Sequence, residues 1–246
     1  MNSERSGRSF KGPLSARKNA TLGELLVPSA LLFLAGCCLP YDLTVARFFQ
    51  AGQIPGFLRE LVENTEPLGH GIGIIVLLGT AAILHRAAAK RYVTIAALAL
   101  LAGVGTNVIK FSVGRIRPRD LSLEASSLAE TWTGWFPYLN GLSGSQSFPS
   151  GHTTVAWAAA VLLASAFPHA RMWLLGLAAM VAYGRVQCSA HYPSDVFAGA
   201  ALGWTIATLL LKQSAIQQLL LVPESDELKS HPSSLSKEAV PAARAA

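Results

Sequence analysis

The sequence predicts an all-α protein, a bundle of six transmembrane helices. Three observations carry that prediction. Apolar residues make up 51% of the 246 residues and charged residues only 14%, against the ~25% charged that is usual in a soluble globular domain. Mean hydropathy is +0.39. Six apolar stretches approach the roughly 17–25 residues a helix needs to cross a bilayer core. They run Leu25–Tyr41, Leu68–Leu84, Tyr92–Ile109, His152–Phe167, Met172–Val186 and Val196–Leu211. A soluble helical bundle needs polar faces that these stretches lack.

The first stretch follows a basic region and ends in Leu34-Ala35-Gly36-Cys37, which resembles a lipoprotein signal. Its apolar run continues past Cys38 to Tyr41, so it reads as a first membrane helix. The second and third stretches are continuous apolar runs. The fourth and fifth are shorter and rich in Ala, and the sixth carries the spacing Gly199…Gly203 of close helix packing. Residues 1–20 read as a basic cytoplasmic tail, 21–212 as the membrane domain and 213–246 as an interfacial segment with a disordered cytoplasmic tail.

Lys and Arg set the orientation. With six spans both termini share one side, and that side holds thirteen of the twenty basic residues. The positive-inside rule makes it cytoplasmic. The seven others face outward: Arg47, Arg59, Lys110, Arg115, Arg117, Arg119 and Arg185. Five of the seven gather at the outer ends of spans three and five. Cations held on the translocated side of a membrane point to an anionic partner. The +6 net charge is therefore read as a membrane property, and no nucleic-acid partner is expected. Three cysteines exclude a disulfide framework, and no common zinc signature occurs.

Three clusters of chemistry-bearing residues fall on the outward side. The first is Lys110 to Asp120, in which Lys110 and Arg117 lie seven apart and would share one face if a helix ran through both, with Pro118 limiting its continuation; by themselves they also suit snorkelling at a helix end. The second is Ser147-Phe-Pro-Ser150-Gly151-His152-Thr153, which opens span four. A helix N-terminus favours an anion by geometry and dipole. Ser150 either caps that helix or donates its hydroxyl to an oxyanion. The third runs from Gly184-Arg185 to His191 and Asp195. Asp195, four residues after His191, is placed to hydrogen-bond one imidazole nitrogen and fix its tautomer; an Asp–His surface pair is the plainer alternative.

Together these offer three cations, a helix N-terminus, two imidazoles and a carboxylate. That inventory suits phosphoryl transfer: cations and backbone N–H groups neutralise the equatorial oxygens, one imidazole attacks phosphorus and the other protonates the leaving oxygen. The carboxylate cluster that Mg²⁺ favours is missing from these motifs, so neither metal nor cofactor is expected.

The pattern K-x6-R-P, P-S-G-H and R-x5-H-x3-D reads here Lys110…Arg117-Pro118, Pro149-Ser150-Gly151-His152 and Arg185…His191…Asp195. It resembles the type 2 phosphatidic acid phosphatase superfamily over roughly residues 65–212. The resemblance implies a six-helix membrane enzyme of the type 2 phosphatidic acid phosphatase kind, with its catalytic face turned away from the cytoplasm. It implies His191 as the nucleophile that forms a phosphohistidine, Asp195 as its orienting carboxylate and His152 as the general acid. It implies Lys110, Arg117, Ser150, Gly151 and Arg185 as the phosphate cradle. One departure is Gly184, where the family usually has Ser; losing that hydroxyl bears on affinity more than on chemistry.

Outside the motifs, Trp132, Trp135 and Tyr138 read as interface anchors or as a lid over a lipid head group. Arg115, Arg119 and Asp120 read as contacts to a second phosphate or sugar, or as solvated loop charges. Cys188 has no catalytic task, and His70 and His169 show no partner. The expected protein is a multi-pass inner-membrane lipid phosphatase. Phosphatidate-type lipids, phosphatidylglycerophosphate, undecaprenyl pyrophosphate and lipid A phosphates are all candidate substrates. A lipid phosphotransferase with the same intermediate, and a non-enzymatic anion-binding or transport protein, are the alternatives. The short motifs specify neither the lipid nor the oligomeric state.

Overall fold

The computed structural model describes residues 21–52, 54–122, 124–141 and 146–221. The expected tail 1–20, and residues 222–246 of the expected 213–246 segment, lie outside the described residues. The helices are α1 (Thr21–Cys38), α2 (Asp42–Gln50), α3 (Gly56–Glu63), α4 (Gly71–Leu84), α5 (Ala89–Ser112), α6 (Gly151–Ala166), α7 (Arg171–Gln187), α8 (Pro193–Leu210) and α9 (Ser214–Leu221). Each of the six predicted stretches coincides with one of α1, α4, α5, α6, α7 and α8. Two continuous helical segments, Leu25–Gln50 and Arg86–Ser112, are long and apolar enough to cross a membrane. The number rises to four if two bent pairs, Gly56–Leu68 with Gly71–Leu84 and Pro193–Leu210 with Ser214–Leu220, each count as one span.

The bundle is organised around α6. It packs against α5, α7 and α8, while α1 lies along α8 and α4 along α5. One core joins Ile95, Ala99 and Ala102 of α5 to Val155, Ala158 and Leu162 of α6 and Trp204 and Ala207 of α8. A second joins Ala156 and Ala160 to Ala178 and Val181 of α7. The alanines that make span four look weak are thus what a helix surrounded by neighbours requires, because small side chains let backbones approach. A Cβ added at Gly203 would overlap the Thr154 carbonyl oxygen, and one at Gly199 would lie 2.6 Å from Ser150 O. Thr154 Oγ1 donates to Ser150 O at 2.9 Å and to Gly199 O at 3.1 Å. These contacts press α8 onto the first turn of α6.

The outer surface is apolar where it faces away from the core. Leu32 and Phe33 of α1, Ile72, Ile75, Val76 and Ile83 of α4, and Val93, Leu101, Val104 and Val108 of α5 are all exposed. A water-soluble surface does not carry so many large apolar groups together, whereas a bundle solvated by hydrocarbon does.

Two features depart from the predicted string of spans. The loop between α5 and α6 contains an antiparallel pair, β1 (Val113–Arg115) and β2 (Trp132–Trp135), with Val113 opposite Trp135. Strands this short leave no readable alternation. Residues 42–67 hold the short helices α2 and α3. Beyond α8, α9 turns back by 96° and packs on α5 and α6.

Candidate active site

The loop from α7 to α8 carries His191. Helix α7 stops in a Schellman arrangement: Ser189 N donates to Val186 O at 3.0 Å and Ala190 N to Arg185 O at 3.1 Å. Ser189 takes the left-handed conformation at φ 53°, the backbone turn that ends such a helix. His191 N also donates to Arg185 O, at 3.1 Å, so the imidazole leaves the chain one turn beyond Arg185. Arg119 N donates to Ser189 O at 3.0 Å, tying this turn to the residues just after Arg117.

His191 is buried. Burial holds its imidazole below the ordinary histidine value, and the Lys110 and Arg117 cations push the same way against Asp195. Its Nδ1 lies 3.8 Å from Asp195 Oδ2. That is within ion-pair range and beyond a hydrogen bond, so the expected His–Asp hydrogen bond is not closed here. The Asp195 carboxylate is occupied otherwise. Oδ2 accepts from Ser147 Oγ at 2.5 Å and from Tyr192 N at 2.9 Å, and Oδ1 accepts from Arg115 Nη1 at 2.5 Å. It also sits in the first turn of α8, where the helix dipole favours a negative charge.

The second cluster docks directly on the third. Ser150 N donates to Asp195 O at 3.1 Å. Ser150 is the N-cap of α6, its Oγ 3.5 Å from Thr153 N and 2.9 Å from Thr153 Oγ1. Of its two readings in the sequence, capping is the one observed. Gly151 is the first residue of α6. His152 follows in the first turn, with Nε2 3.4 Å from Glu66 Oε1.

The cations complete the ring. Lys110, in the last turn of α5, donates from Nζ to Gln146 O at 2.7 Å. Arg117 precedes a 3-10 turn, Pro118–Asp120, and its Nε is buried without a hydrogen-bond partner among the described residues. Arg185 is buried and donates from Nη1 to Glu66 Oε1 at 2.9 Å. Arg185 Nε, His152 Nε2 and His191 Nδ1 are likewise buried and unbonded. Lys110 and Arg117 act on the charge of His191, and His191 and Arg185 on that of His152. The structure therefore brings all eight sequence-predicted residues to one end of the bundle.

Several residues take places that sequence reasoning did not assign. Arg115 is neither a loop charge nor free to touch a second phosphate. It is buried, ion-paired to Asp42 at 2.7 Å and Asp195 at 2.5 Å, and stacked 4.1 Å from the Tyr192 ring centroid. Burial works against its charge, and the two carboxylates outweigh burial, so its pKa stands above the ordinary value. Asp42 also accepts from Ser194 N at 3.0 Å and from the Ser194 hydroxyl. Arg119 and Asp120 remain half-exposed, 3.9 Å apart. Gly184 has a packing reason: a Cβ there would lie 2.9 Å from Val62 Cγ1 of α3. His70 has partners after all, accepting from Ile72 N at 3.2 Å, with its ring centroid 5.5 Å from that of His152.

Glu66 and Asp42 are the acids the sequence reading passed over. Each stands at the end of an apolar run, where an unpaired charge is expensive; that cost was the available signal. Among the described residues no group of three or more His, Cys, Asp or Glu side chains is arranged to hold a metal ion.

Beside this site, between the end of α1 and the β1–β2 hairpin, lies an apolar cavity of about 440 Å³ lined by Leu39, Val113, Arg115, Leu128, Ala129, Thr131, Trp132, Trp135 and Phe148. Trp132 and Trp135 meet edge to face at 5.1 Å, and Tyr138 packs on Phe111 at 4.9 Å.

The chain is 35% identical over 107 residues to the lipid A 1-phosphatase of Rhizobium johnstonii, a match covering 42% of this chain and 40% of that protein. It is 43% identical over 65 residues to the undecaprenyl-diphosphatase of Sulfolobus acidocaldarius, covering 26% of this chain and 31% of that one. The matches thus span less than half the length of these curated relatives. The fold is similar to the crystal structure of Aquifex aeolicus LpxE, with a TM-score of 0.50 and 24% identity over 70% of this chain and 95% of that one. It is also similar to a PAP2 type phosphatidylglycerolphosphate phosphatase from Bacillus subtilis, with a TM-score of 0.51 and 20% identity over 76% and 92%. A family model matched across residues 72–218 takes in all three clusters, and by that match this chain belongs to the PAP2 superfamily.

Proposed function

We propose that this protein is a multi-pass inner-membrane phosphatase that hydrolyses a lipid phosphate or lipid pyrophosphate on the outer face through a phosphohistidine. In this reading six helices span the bilayer and both termini are cytoplasmic. One observation carries the proposal: a buried imidazole, His191, faces the Asp195 carboxylate at 3.8 Å at the end of the bundle where Lys110, Arg117, Arg185 and the α6 N-terminus gather.

The chemistry follows from the arrangement. Arg185, Arg117, Lys110 and the N–H groups of the first turn of α6 from Gly151 onward hold the phosphoryl oxygens and offset their charge, with Ser150 capping that turn. Burial keeps His191 neutral, so its lone pair is available to attack phosphorus. As the N–P bond forms, the ring becomes cationic, and Asp195 stabilises it. His152 gives its proton to the departing lipid oxygen as the P–O bond breaks. It then takes a proton from water, which attacks phosphorus and releases orthophosphate and free His191. No metal or cofactor enters these steps.

The lipid character of the substrate is supported by the apolar cavity beside the phosphate site and by the relatives' named activities on lipid A and undecaprenyl diphosphate. The test is phosphate release from a panel of lipid phosphates by purified protein in detergent with chelator present. His191→Ala is expected to lower turnover by more than about 10³-fold, and His152→Ala by about 10²–10⁴-fold. Wild-type turnover in His191→Ala would reject the assignment. No release from any lipid in the panel would favour anion binding or transport.

A further inference from the structure

We propose that Glu66 is a resident anion of this site: its carboxylate takes the seat of a substrate phosphate oxygen between Arg185 and His152, and swings out when phosphate enters. The proposal rests on the phosphate-site reading above. Glu66 belongs to none of the three motifs. It holds Arg185 and stands beside His152 only while no phosphate is bound, so it acts on binding as a positioning residue and not in the bond-making steps.

The contacts have the form of a bound oxyanion. One oxygen, Oε1, accepts from Arg185 Nη1 at 2.9 Å and lies 3.4 Å from His152 Nε2. These two side chains come from different motifs and different helices, and an oxygen of a bound phosphate would meet the same pair. Arg185 Nε and His152 Nε2 are buried without a hydrogen-bond partner among the described residues, so the pair has donor capacity beyond what one carboxylate oxygen uses.

The burial is asymmetric. The Arg185 side chain is 8% exposed and that of Glu66 is 44% exposed. The cation is the buried partner and the carboxylate the exposed one. Glu66 stands on a short 3-10 turn, Glu66–Leu68, between α3 and α4. That turn borders a cavity of about 480 Å³ lined by Glu63, Asn64, Glu66, Pro67, His70, Ile72 and Gly73. Glu66 lines this cavity, so its side chain borders open space.

A carboxylate and a phosphate dianion repel each other and compete for one guanidinium. Glu66 therefore lowers the affinity of the site for phosphate in substrate and product alike. Its return after hydrolysis helps expel orthophosphate, while Arg185 stays ordered between turnovers.

Orthophosphate binding to the purified full chain in detergent, measured by calorimetry, tests this. Glu66→Gln is expected to tighten the orthophosphate Kd by about 3- to 10-fold, as removal of one like charge from an anion site does. Glu66→Ala is expected to do the same, which covers a failure of the Gln variant to fold. Glu63→Gln, which removes a charge on the rim of the same cavity, should leave Kd unchanged. A purely structural role in holding Arg185 predicts the opposite sign, weaker binding in both Glu66 variants. Unchanged or weaker binding in the folded variants overturns the proposal. If the wild type binds orthophosphate and hydrolyses lipid phosphate while Glu66→Gln binds equally well, Glu66 alone is misassigned. If the wild type neither binds nor hydrolyses, the phosphate-site reading falls with it.

Discussion

Arg115 Nη2 lies 2.7 Å from Asp42 Oδ2, and both side chains are shut away from solvent. The residues are 73 positions apart, and the same guanidinium reaches Asp195 Oδ1 through Nη1. The start of α2 is thereby wired to the carboxylate that faces His191. Removing one member of a buried ion pair strands the other and costs about 3–5 kcal/mol. Asp42→Ala and Arg115→Met should each lower the thermal midpoint in detergent. The double change Asp42→Leu with Arg115→Met should recover part of the Arg115→Met loss, because Asp42 is then no longer a stranded charge while Asp195 still is. Phosphate release should not recover with it, since Asp195 has still lost a donor. Recovery of turnover together with stability would reduce Arg115 to a scaffold.

How much of this was legible beforehand depends on the range of the interaction. Hydropathy acts along the chain, and all six predicted stretches are helices. The second and third motifs are local strings that fold as local units, with Ser150 as a cap, Ser189 as a helix stop and Asp195 in the first turn of α8. What was not legible is pairwise and distant. The partner of Arg185 lies 119 residues away at Glu66, and that of Ser194 lies 152 away at Asp42. Arg115 looked like one more loop cation because nothing in its neighbourhood names the carboxylates it meets. Gly184 looked like a lost hydroxyl because the reason for it, Val62, sits on a short helix that hydropathy does not reveal.

The state of His191 gives a pH dependence with a definite sign. Burial first, then Lys110 and Arg117, push its imidazole below the ordinary value, which is near 6.5 in an unperturbed histidine. The neutral ring is the attacking form, so activity is kept as pH falls past about 6.5 and is lost only on crossing the lower folded value. A profile of kcat/KM against pH should show its acid limb below the ordinary histidine range. Arg117→Gln removes one of the cations, so the limb of its residual activity should move to higher pH. An acid limb at or above 6.5 in the wild type would contradict a buried neutral nucleophile.

The contact of α8 with α6 makes stability and catalysis separable along one helix. Gly199 faces Ser150 O and Gly203 faces Thr154 O, one turn deeper. Overpacking at such a site typically costs about 1–3 kcal/mol. Gly203→Ala should lower the thermal midpoint with a smaller effect on turnover per folded molecule. Gly199→Ala pushes directly on the residue whose N–H bonds the Asp195 carbonyl. It should lower turnover at least as much as stability, which activity and unfolding assays on one preparation compare directly.

The apolar cavity beside the hairpin predicts chain-length selectivity. It is lined by Leu39 from just beyond α1, by β1 and β2 and by Phe148, two residues before Ser150, so an acyl chain seated there leaves its head group near the α6 N-terminus. For a lipid phosphate presented as a dispersed monomer, each methylene moved from water into the cavity is worth about 0.8 kcal/mol, so longer chains should bind better than shorter ones. Ala129→Trp fills the cavity from its rim and touches no residue of the phosphate site. It should raise KM for long-chain lipid phosphates and leave KM for a water-soluble phosphate monoester unchanged. Equal effects on both substrates would mean that the chain lies elsewhere, along the exposed faces of the helices.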